Sequence, residues 1–272
     1  MKLAYLGPAG TFTGEVAHKV AEEQNGELES YSQIDAVIMA VSRGDADLGV
    51  VPVENSLEGS VNLTLDMLGQ TEAVQVVGER VFPIRHSLLA TPGTRIKDIE
   101  LVYSHPQSLA QCRGYLRNNL PEIQEKPCSS NAEAFMQARQ TPQAAAIGFS
   151  KGGLQYGLLV LEEGIQDENA NYTRFLLLGK EVTGVTGKDK TSLLLALKDE
   201  AGSLYRLLGH FARQNINLTK IESRPSRKKL GEYLFFLDFE GHREEENIAR
   251  LLQEIENEAL SCRVLGSYPR AF

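Results

Sequence analysis

A short polar stretch in front of an apolar strand carries the side chains that are best suited to chemistry. Its residues are Asn171, Tyr172, Thr173, Arg174 and Phe175, and the apolar run that begins at Phe175 is closed by Gly179. A short, continuous apolar run bounded by a turn residue is typical of a buried strand. A hydroxyl and a guanidinium at its start would lie at the rim of the core, where packing fixes the geometry and a ligand still has access. The alternative is the plain beginning of a strand, with threonine present for its β propensity.

Two other polar loops follow apolar strands. The predicted strand 48–53 runs into residues 54–61, which hold two carboxylates, an amide and two hydroxyls. In α/β sheets this end of a strand is where ligands bind. The alternative is a strand-to-helix loop in which Ser60 or Asn62 caps the helix. The predicted strand 101–103 opens in the same way into residues 104–109 and a helix that ends near Asn118. Two interpretations of His105 stay open, because it could be a general acid or base or a loop histidine. Pro106 in the first helical turn favours the structural interpretation.

The N-terminal strand 3–6 is followed by the loop 7–11, which contains two glycines, and by a helix with Thr13 as a plausible N-cap. Free backbone N–H groups and the helix dipole would make this loop an anion site; a mere strand–helix turn is the alternative. Neither the dinucleotide motif nor the Walker motif occurs here, so neither dinucleotide nor ATP is indicated.

Composition excludes several classes of function. The chain has 272 residues, a net charge of −8 and a pI near 5.3, which argues against generic binding to nucleic acid or anionic membranes. The three cysteines, Cys112, Cys128 and Cys262, form neither a metal motif nor a disulfide framework, so we expect reduced thiols and a cytoplasmic protein. The apolar run near the N-terminus is too short for a signal peptide.

Strands and helices alternate along residues 1–178, which predicts an α/β domain with mainly parallel sheets. Two similar lobes with polar loops at their strand ends suggest a cleft between them. We expect a catalytic domain at 1–179, with its second lobe at roughly 78–158, and a polar linker at 180–190. Residues 191–272 predict a β-α-β-β-α-β ferredoxin-like domain, with Gly231 in a turn. Because helices cover one face of such a sheet, an exposed edge or face would invite pairing with another copy.

Five short motifs follow one another in a fixed order. They are the loop 7–11, the run 51–61, Ser104-His105-Pro106-Gln107, Thr173-Arg174-Phe175 and, in the tail, Glu222-Ser223-Arg224-Pro225. Together they resemble the prephenate dehydratase family with a C-terminal ACT regulatory domain, and the resemblance covers nearly the whole chain. The predicted domain break falls between the fourth motif and the fifth.

The resemblance implies a two-lobed catalytic domain like a type 2 periplasmic-binding protein and an ACT domain that binds L-phenylalanine between paired subunits. It implies conversion of prephenate to phenylpyruvate, carbon dioxide and water, with no metal or organic cofactor. It also implies a homodimer or a dimer of dimers. Because no chorismate mutase segment precedes Met1, we expect the monofunctional form. Arogenate dehydratase and a catalytically silent amino-acid sensor are the alternatives.

The resemblance also implies roles for single residues. Thr173 is expected to hydrogen-bond the departing oxygen. Arg174 is expected to hold a substrate carboxylate or to pair with Glu54 or Glu58 as a structural support. Further substrate-binding residues are expected at Thr11, Asn55, Ser56, Glu58, Ser104, Gln107 and Phe175. The expected L-phenylalanine site comprises Gly202, Ser203, Leu204, Asn217, Glu222, Ser223, Arg224 and Pro225. Ser203 and Tyr205 depart from the family's pattern.

Overall fold

The structure, a computed structural model, describes residues 1–226 and 233–271. Strands and α-helices mostly alternate along residues 1–179, as the sequence predicts. In chain order they are β1 (Lys2–Leu6), α1 (Phe12–Gln24), β2 (Glu27–Tyr31), α2 (Ile34–Arg43), β3 (Leu48–Asn55), β4 (Gly59–Ser60), α3 (Asn62–Gln70), β5 (Gln75–Pro83), β6 (Ser87–Ala90), β7 (Leu101–Ser104), α4 (Pro106–Gln111), α5 (Arg113–Asn119), β8 (Gln124–Pro127), α6 (Asn131–Gln140), β9 (Ala144–Gly148), α7 (Ser150–Gln155), β10 (Leu159–Glu163) and β11 (Tyr172–Gly179).

These strands form two sheets. The first has the order β2-β1-β3-β11-β5, with β4 paired to β3, and β1 and β2 run parallel. The second has the order β10-β6-β9-β7-β8. In it β7 is parallel to both neighbours, whereas β6 is antiparallel to both β9 and β10. The predicted α/β fold is confirmed, but the prediction of mainly parallel strands is wrong for the second sheet. Alternation of elements does not fix strand direction, and mixed sheets are common in such folds.

The tail folds as predicted. Its described elements are β12 (Asp189–Ala196), α8 (Ser203–Arg213), β13 (Leu218–Pro225), β14 (Tyr233–Glu240), α9 (Glu246–Glu258) and β15 (Ser261–Pro269). They form an antiparallel sheet in the order β13-β14-β12-β15, which is the ferredoxin-like arrangement. Leu193 and Leu195 of β12 pack with Leu237 of β14 and with Leu207 and Phe211 of α8 in one apolar core. The predicted turn residue Gly231 lies outside the described residues.

The first helix begins earlier than the sequence predicts. Thr11, not Thr13, is the N-cap of α1: its hydroxyl accepts a hydrogen bond from the Gly14 N–H at 3.1 Å. Thr13 is buried within the first turn of the helix. Two threonines two residues apart are both acceptable caps by type, and only the extended backbone at Thr11, with φ −87° and ψ 166°, separates them.

Two other helix boundaries also differ from the prediction. The N-cap of α3 is Val61 and makes no side-chain hydrogen bond, so the structure does not bear out the alternative in which Ser60 or Asn62 caps this helix. The single helix predicted after the loop 104–109 is divided into α4 and α5 at Cys112.

Strand β12 begins at Asp189, inside the predicted linker 180–190. No helix of the described residues is long and apolar enough to cross a membrane.

The chain divides into two compact units, each made of several segments. The first unit contains residues 1–34, 54–60 and 81–174, and the second contains residues 35–53, 61–80 and the described residues from 175 onward. Two ion pairs lie inside the second unit. Lys190 Nζ is 2.8 Å from Glu79 Oε1, and Arg224 Nη2 is 3.1 Å from Asp66 Oδ2. Within this unit, helix α3 and strand β5 are therefore tied to the ferredoxin-like sheet.

Replacing Gly152 by alanine is expected to lower the free energy of unfolding by about 1–3 kcal/mol, as overpacking does in other cores. A Cβ atom at this position of α7 would overlap the Gly10 carbonyl oxygen, and a backbone atom cannot move aside as a side chain can. Gly184→Ala is the matched control, because a Cβ there meets no atom within 4 Å. Urea unfolding checks the prediction, and equal stability of the two variants would contradict it.

Candidate active site

The side-chain amide of Asn55, at the end of β3, is held in one orientation by its partners. Its carbonyl oxygen Oδ1 accepts hydrogen bonds from the backbone N–H groups of Leu57 and Glu58 at 3.0 and 3.1 Å. Its nitrogen Nδ2 therefore faces the start of β11, where it donates to Asn171 Oδ1 at 2.8 Å and to Thr173 Oγ1 at 2.9 Å. Asn55 is buried, so water competes little for these bonds.

The orientation of Asn55 determines what the Thr173 hydroxyl can do. Because the amide nitrogen is a donor, Thr173 Oγ1 acts as the acceptor in this bond. Within residues 1–226 and 233–271 the hydroxyl donates to no protein group. Thr173 is only half-buried, so its hydrogen is available to a bound molecule. A hydroxyl that accepts from one group becomes a better donor to the next.

The network continues away from Thr173 through Gln111, at the end of α4. Gln111 Oε1 accepts from Asn171 Nδ2 at 2.9 Å and lies 3.0 Å from His86 Nε2. One chain of side chains therefore runs from His86 through Gln111, Asn171 and Asn55 to Thr173. All five belong to the first compact unit. The orientations of the amide and hydroxyl groups in this hydrogen-bonded series depend on one another, because each group sets which atom of the next group donates and which accepts.

His86 is held in its neutral form by its surroundings. The residue is 1% exposed, and burial lowers the pKa of its imidazole. Since Gln111 Oε1 can only accept, His86 Nε2 carries the hydrogen and Nδ1 is the bare nitrogen. Nδ1 is buried and has no hydrogen-bond partner among the residues that the structure describes. The ring of Phe12 stands edge-on to His86, with 5.5 Å between ring centroids.

His86 is expected to make the protein less stable below pH 6.5. Its folded-state pKa lies below the value of about 6.5 that it takes in the unfolded chain, so the unfolded chain takes up the proton first as the pH falls. The contribution of neutral His86 to the free energy of unfolding is fully present above pH 6.5 and decreases as the pH falls below that value. His86→Gln, whose amide can still donate to Gln111, should show a smaller fall in melting temperature between pH 7.5 and 5.5 than the wild type. An unchanged fall would contradict the prediction.

Two of the predicted site residues, Ser56 and Arg174, have different partners. Ser56 is tied to the start of β11, since its hydroxyl donates to Ala170 O and accepts from the Tyr172 N–H, both at 3.0 Å. Arg174 Nη1 lies 3.8 Å from Glu54 Oε2, and the arginine side chain is 11% exposed. Of the alternatives for Arg174, the pairing with Glu54 is therefore present in the structure. The distance is too long for a direct hydrogen bond.

Glu58 is exposed at the tip of the loop that follows β3. Its carboxylate oxygen Oε1 is 3.5 Å from Gln111 Nε2, so the loop is in contact with the network behind Thr173. Phe175, two residues after Thr173, is 1% exposed and belongs to the core. Its side chain therefore anchors β11, and its position gives it no open face for a substrate.

The N-terminal loop is closely packed in the structure. The Thr11 hydroxyl donates to Pro8 O at 3.0 Å and caps α1, so both of its hydrogen-bonding roles are used. Gly10, with φ +87°, lies against the backbone of Gly152. A small cavity of about 80 Å³ lies beside this loop and is also lined by Tyr5 and Phe149. Close packing accounts for the glycines here without an anion.

Most polar side chains of the loop after β7 form hydrogen bonds within the protein. The Ser104 hydroxyl is fully buried and donates to Ile147 O at 2.7 Å. His105 is the N-cap of α4: its Nδ1 accepts from the Gln107 N–H at 3.3 Å, and burial lowers its pKa. This arrangement favours the structural interpretation of His105. The Gln107 side chain is exposed and is the predicted residue of this loop with a free face.

The predicted effector residues lie on two elements of the ferredoxin-like domain. Gly202, with φ +86°, is the N-cap of α8, and the Ser203 hydroxyl accepts from Arg206 Nη2 at 3.1 Å. Leu204 is partly buried against the core of the domain. Asn217 is exposed just before β13. The remaining predicted residues are on edge strand β13: Glu222, Ser223, Arg224 and Pro225.

Cysteine and metal chemistry find little support in the geometry. All three cysteines are unpaired, and burial raises the pKa of the Cys112 and Cys262 thiols to about 12, which keeps them protonated. Over the described ranges 1–226 and 233–271, no three or more His, Cys, Asp and Glu side chains are grouped to hold a metal ion.

The sequence does not indicate two members of the network, Gln111 and His86. Gln111 stands at the end of a short helix and is 60 residues from Asn171. His86 lies between two apolar strands, where a histidine has many structural uses. The one local signal is His86 itself, a polar ring in an otherwise apolar stretch.

Known proteins resemble the chain along its whole length. Two family models match, one described as prephenate dehydratase over residues 3–183 and one as the ACT domain over residues 191–257. The bifunctional chorismate mutase/prephenate dehydratase of Aquifex aeolicus is 45% identical over 100% of this chain and 74% of its own length. The prephenate dehydratase of Lactococcus lactis is 40% identical over 98% of this chain and 97% of its own length. The crystal structure of prephenate dehydratase in complex with L-Phe from Arthrobacter aurescens superimposes with a TM-score of 0.92 at 34% identity, over 100% of this chain and 90% of that one. The chain therefore belongs to the prephenate dehydratase family and carries an ACT domain, as its motifs predict.

Proposed function

We propose that the Thr173 hydroxyl assists the departure of the ring oxygen of prephenate in a decarboxylating dehydration. The reaction breaks the ring C–O bond and the bond to the ring carboxylate. The carboxylate leaves as carbon dioxide and its electron pair stays in the ring, while hydroxide takes a proton and leaves as water. Because aromatisation supplies the driving force, the main task of the protein is to stabilise the departing oxygen.

One observation carries this proposal: Asn55 donates to Thr173 Oγ1 at 2.9 Å, with its own oxygen held by two backbone N–H groups. Thr173 is thereby kept as a donor toward the substrate. A threonine hydroxyl is a weak acid, so we assign it a strong hydrogen bond to the departing oxygen and the relay of a proton that an acid in the solvent supplies. A preorganised donor of this kind lowers a barrier by several kcal/mol.

The substrate also carries two carboxylates, and Arg174 is the cation next to Thr173 in sequence. We propose that one carboxylate binds the Arg174 guanidinium, whose Nη1 lies 3.8 Å from Glu54 Oε2. The exposed side chains of Ser56, Glu58 and Gln107 would complete the polar surroundings. Arginine suits this task because its planar fork matches a carboxylate with two hydrogen bonds.

The direct test is the absorbance of phenylpyruvate after purified protein is mixed with prephenate. We expect turnover without added metal or organic cofactor. Arogenate, which has an amino group in place of the keto oxygen, is the comparison substrate. A higher kcat/KM with arogenate would assign the protein to the alternative dehydratase, and no turnover of either compound would leave the amino-acid sensor as its function.

We propose that L-phenylalanine is the effector of the ACT domain. The support is the family of this domain and the relative from Arthrobacter aurescens, whose structure is of a complex with L-Phe. The proposed ligand groups are the α8 N-terminus at Gly202, Ser203 and Leu204 and the β13 residues from another copy. Strand β13 lies at one edge of the sheet, so a homodimer that pairs along this edge would bring the two groups of proposed ligand residues together.

We also propose that the protein is located in the cytoplasm, because unpaired cysteines are usual in that compartment.

Calorimetry with L-phenylalanine tests the effector site. Asn217→Ala should weaken L-phenylalanine binding, since the exposed Asn217 side chain is a proposed ligand. Gln253→Ala, on the exposed face of α9, is the control and should bind like the wild type. Absence of L-phenylalanine binding in a turnover-competent wild-type protein would disprove this part of the proposal and leave the catalytic part standing.

A further inference from the structure

A cavity of about 440 Å³ lies inside the second compact unit, between the ferredoxin-like sheet and the α3 segment. One wall is apolar and consists of Leu194, Ala196, Leu234 and Phe236. Leu194 pairs with Phe236 and Ala196 with Leu234 across strands β12 and β14. Since side chains alternate along a strand, these residues face away from the sheet side that packs on α8 and α9. The wall is therefore a second apolar face of the same sheet.

The opposite side of the cavity is polar and contains two arginines, Arg224 and Arg263, which differ in whether they form an ion pair with a carboxylate. Arg224 is already satisfied, because its Nε and Nη2 donate to the carboxylate of Asp66 at 3.1–3.2 Å. Arg263 is half-buried, and its Nη2 donates to the Leu68 backbone carbonyl. Among the residues that the structure describes, no carboxylate lies within ion-pair distance of Arg263.

Arg263 has no carboxylate at contact distance among the described residues, although Glu72 and Asp66 line the same cavity. Burial lowers the pKa of its guanidinium, and the charge of Glu72 opposes this shift. Burying a cation without a hydrogen-bonded anion is costly. A carboxylate that entered the cavity would form charge-assisted hydrogen bonds with this guanidinium and offset the cost. The adjacent apolar wall would then receive whatever apolar group the carboxylate carries.

We propose that this cavity is a second small-molecule site, which binds an amphipathic monocarboxylate with its carboxylate on Arg263 and its apolar body on Leu194 and Phe236. The volume lies within the range of about 300–1,000 Å³ that is usual for ligand sites. The site is separate from the proposed reaction and does not depend on it. It shares Arg224 and Pro225 with the proposed effector site, but Arg263 and the apolar wall belong to the cavity alone.

Calorimetry with 3-phenylpropionate, which has a carboxylate and an aromatic body but no amino or keto group, tests the site. We expect saturable binding to the wild-type protein and at least about tenfold weaker binding to Arg263→Gln, from the loss of a charge-assisted bond. Arg250→Gln is the matched control, because Arg250 is an exposed arginine of α9 that pairs with Glu246. Phenethylamine, which lacks the carboxylate, should not bind. Equal affinity in Arg263→Gln, or no binding to the wild type, would overturn the proposal.

Ala196→Phe gives a second test that leaves Arg263 in place. The larger side chain would fill the cavity from its apolar wall and should abolish 3-phenylpropionate binding. Light scattering on the same samples reveals whether another copy covers the cavity. A change of oligomeric state in Ala196→Phe, with no binding of the probe to the wild type, would overturn the proposal in favour of a subunit interface. Displacement of the bound probe by L-phenylalanine or by phenylpyruvate tells which chemical source the site accepts.

Discussion

Thr173→Val is expected to reduce kcat by about 10²- to 10⁴-fold, the range that follows the loss of one donor or proton-transfer group from an active site. Valine has the shape of threonine but cannot donate to the departing oxygen. The KM for prephenate should change much less, because the carboxylates of the substrate bind elsewhere. Initial rates of phenylpyruvate formation over a range of prephenate concentrations separate the two constants.

The fold should survive this substitution. When Thr173 Oγ1 is removed, Asn55 Nδ2 keeps Asn171 Oδ1 at 2.8 Å and Tyr172 O at 3.2 Å as acceptors. The control is Thr173→Ser, which restores the hydroxyl and should recover most of the turnover. Two results would show that the hydroxyl has no part in the reaction. In the first, the valine variant is as active as the serine variant. In the second, the serine variant is as inactive as the valine variant although its stability is unchanged.

The sequence predicts the centre of the candidate site better than its surroundings. Thr173 and Asn55 lie in short polar segments at strand ends, and strand ends can be recognised from apolar runs alone. Gln111 and His86 are connected to Asn55 and Thr173 through Asn171, which is distant in sequence from both, so this connection depends on how the fold places α4 and β6. Ser104 is predicted as a substrate-binding residue by its motif, and the structure shows that its hydroxyl is buried against Ile147 O, so only its backbone could contact a ligand.

The fold itself is predicted in type and misjudged in detail. The order β-α-β-β-α-β of the tail follows from apolar periodicity, and the structure confirms it. Strand direction in the second sheet, the cap at Thr11 and the break between α4 and α5 could not be predicted. Each of these depends on backbone conformation or on contacts between distant segments, which residue type does not specify.

The end of the predicted linker is the clearest such case. Charged residues that follow a polar, glycine-containing stretch are usually exposed to solvent, yet Asp189 and Lys190 are 3% and 6% exposed. Lys190 Nζ donates to both carboxylate oxygens of Glu79, at 2.8 and 3.0 Å. Glu79 lies on β5 and is 111 residues away from Lys190 in the sequence. The residues near Lys190 in the sequence therefore give no indication that it is buried.

Breaking this pair is expected to lower the free energy of unfolding by about 3–5 kcal/mol, because either single change leaves a buried charge without its partner. Glu79→Gln removes the negative charge that faces the buried ammonium, and Lys190→Met removes the positive charge that faces the buried carboxylate, which also accepts from the backbone N–H of Ala271 at 3.0 Å. Urea unfolding followed by circular dichroism measures both variants. The surface pair of Lys2 and Glu29, whose side chains are 50% and 40% exposed, supplies the control. Lys2→Met should cost less than about 1 kcal/mol.

The double variant Glu79→Gln with Lys190→Met separates the value of the pair from the cost of an unpaired charge. Both charges are then absent, so the double variant should be more stable than either single variant, since buried pairs gain little over neutral replacements of similar size. The double-mutant cycle gives the coupling free energy directly. If the two single losses simply added, the charges would not interact across the buried contact. A large positive coupling would instead show that this pair fixes β5 to β12 because neither charge tolerates burial alone.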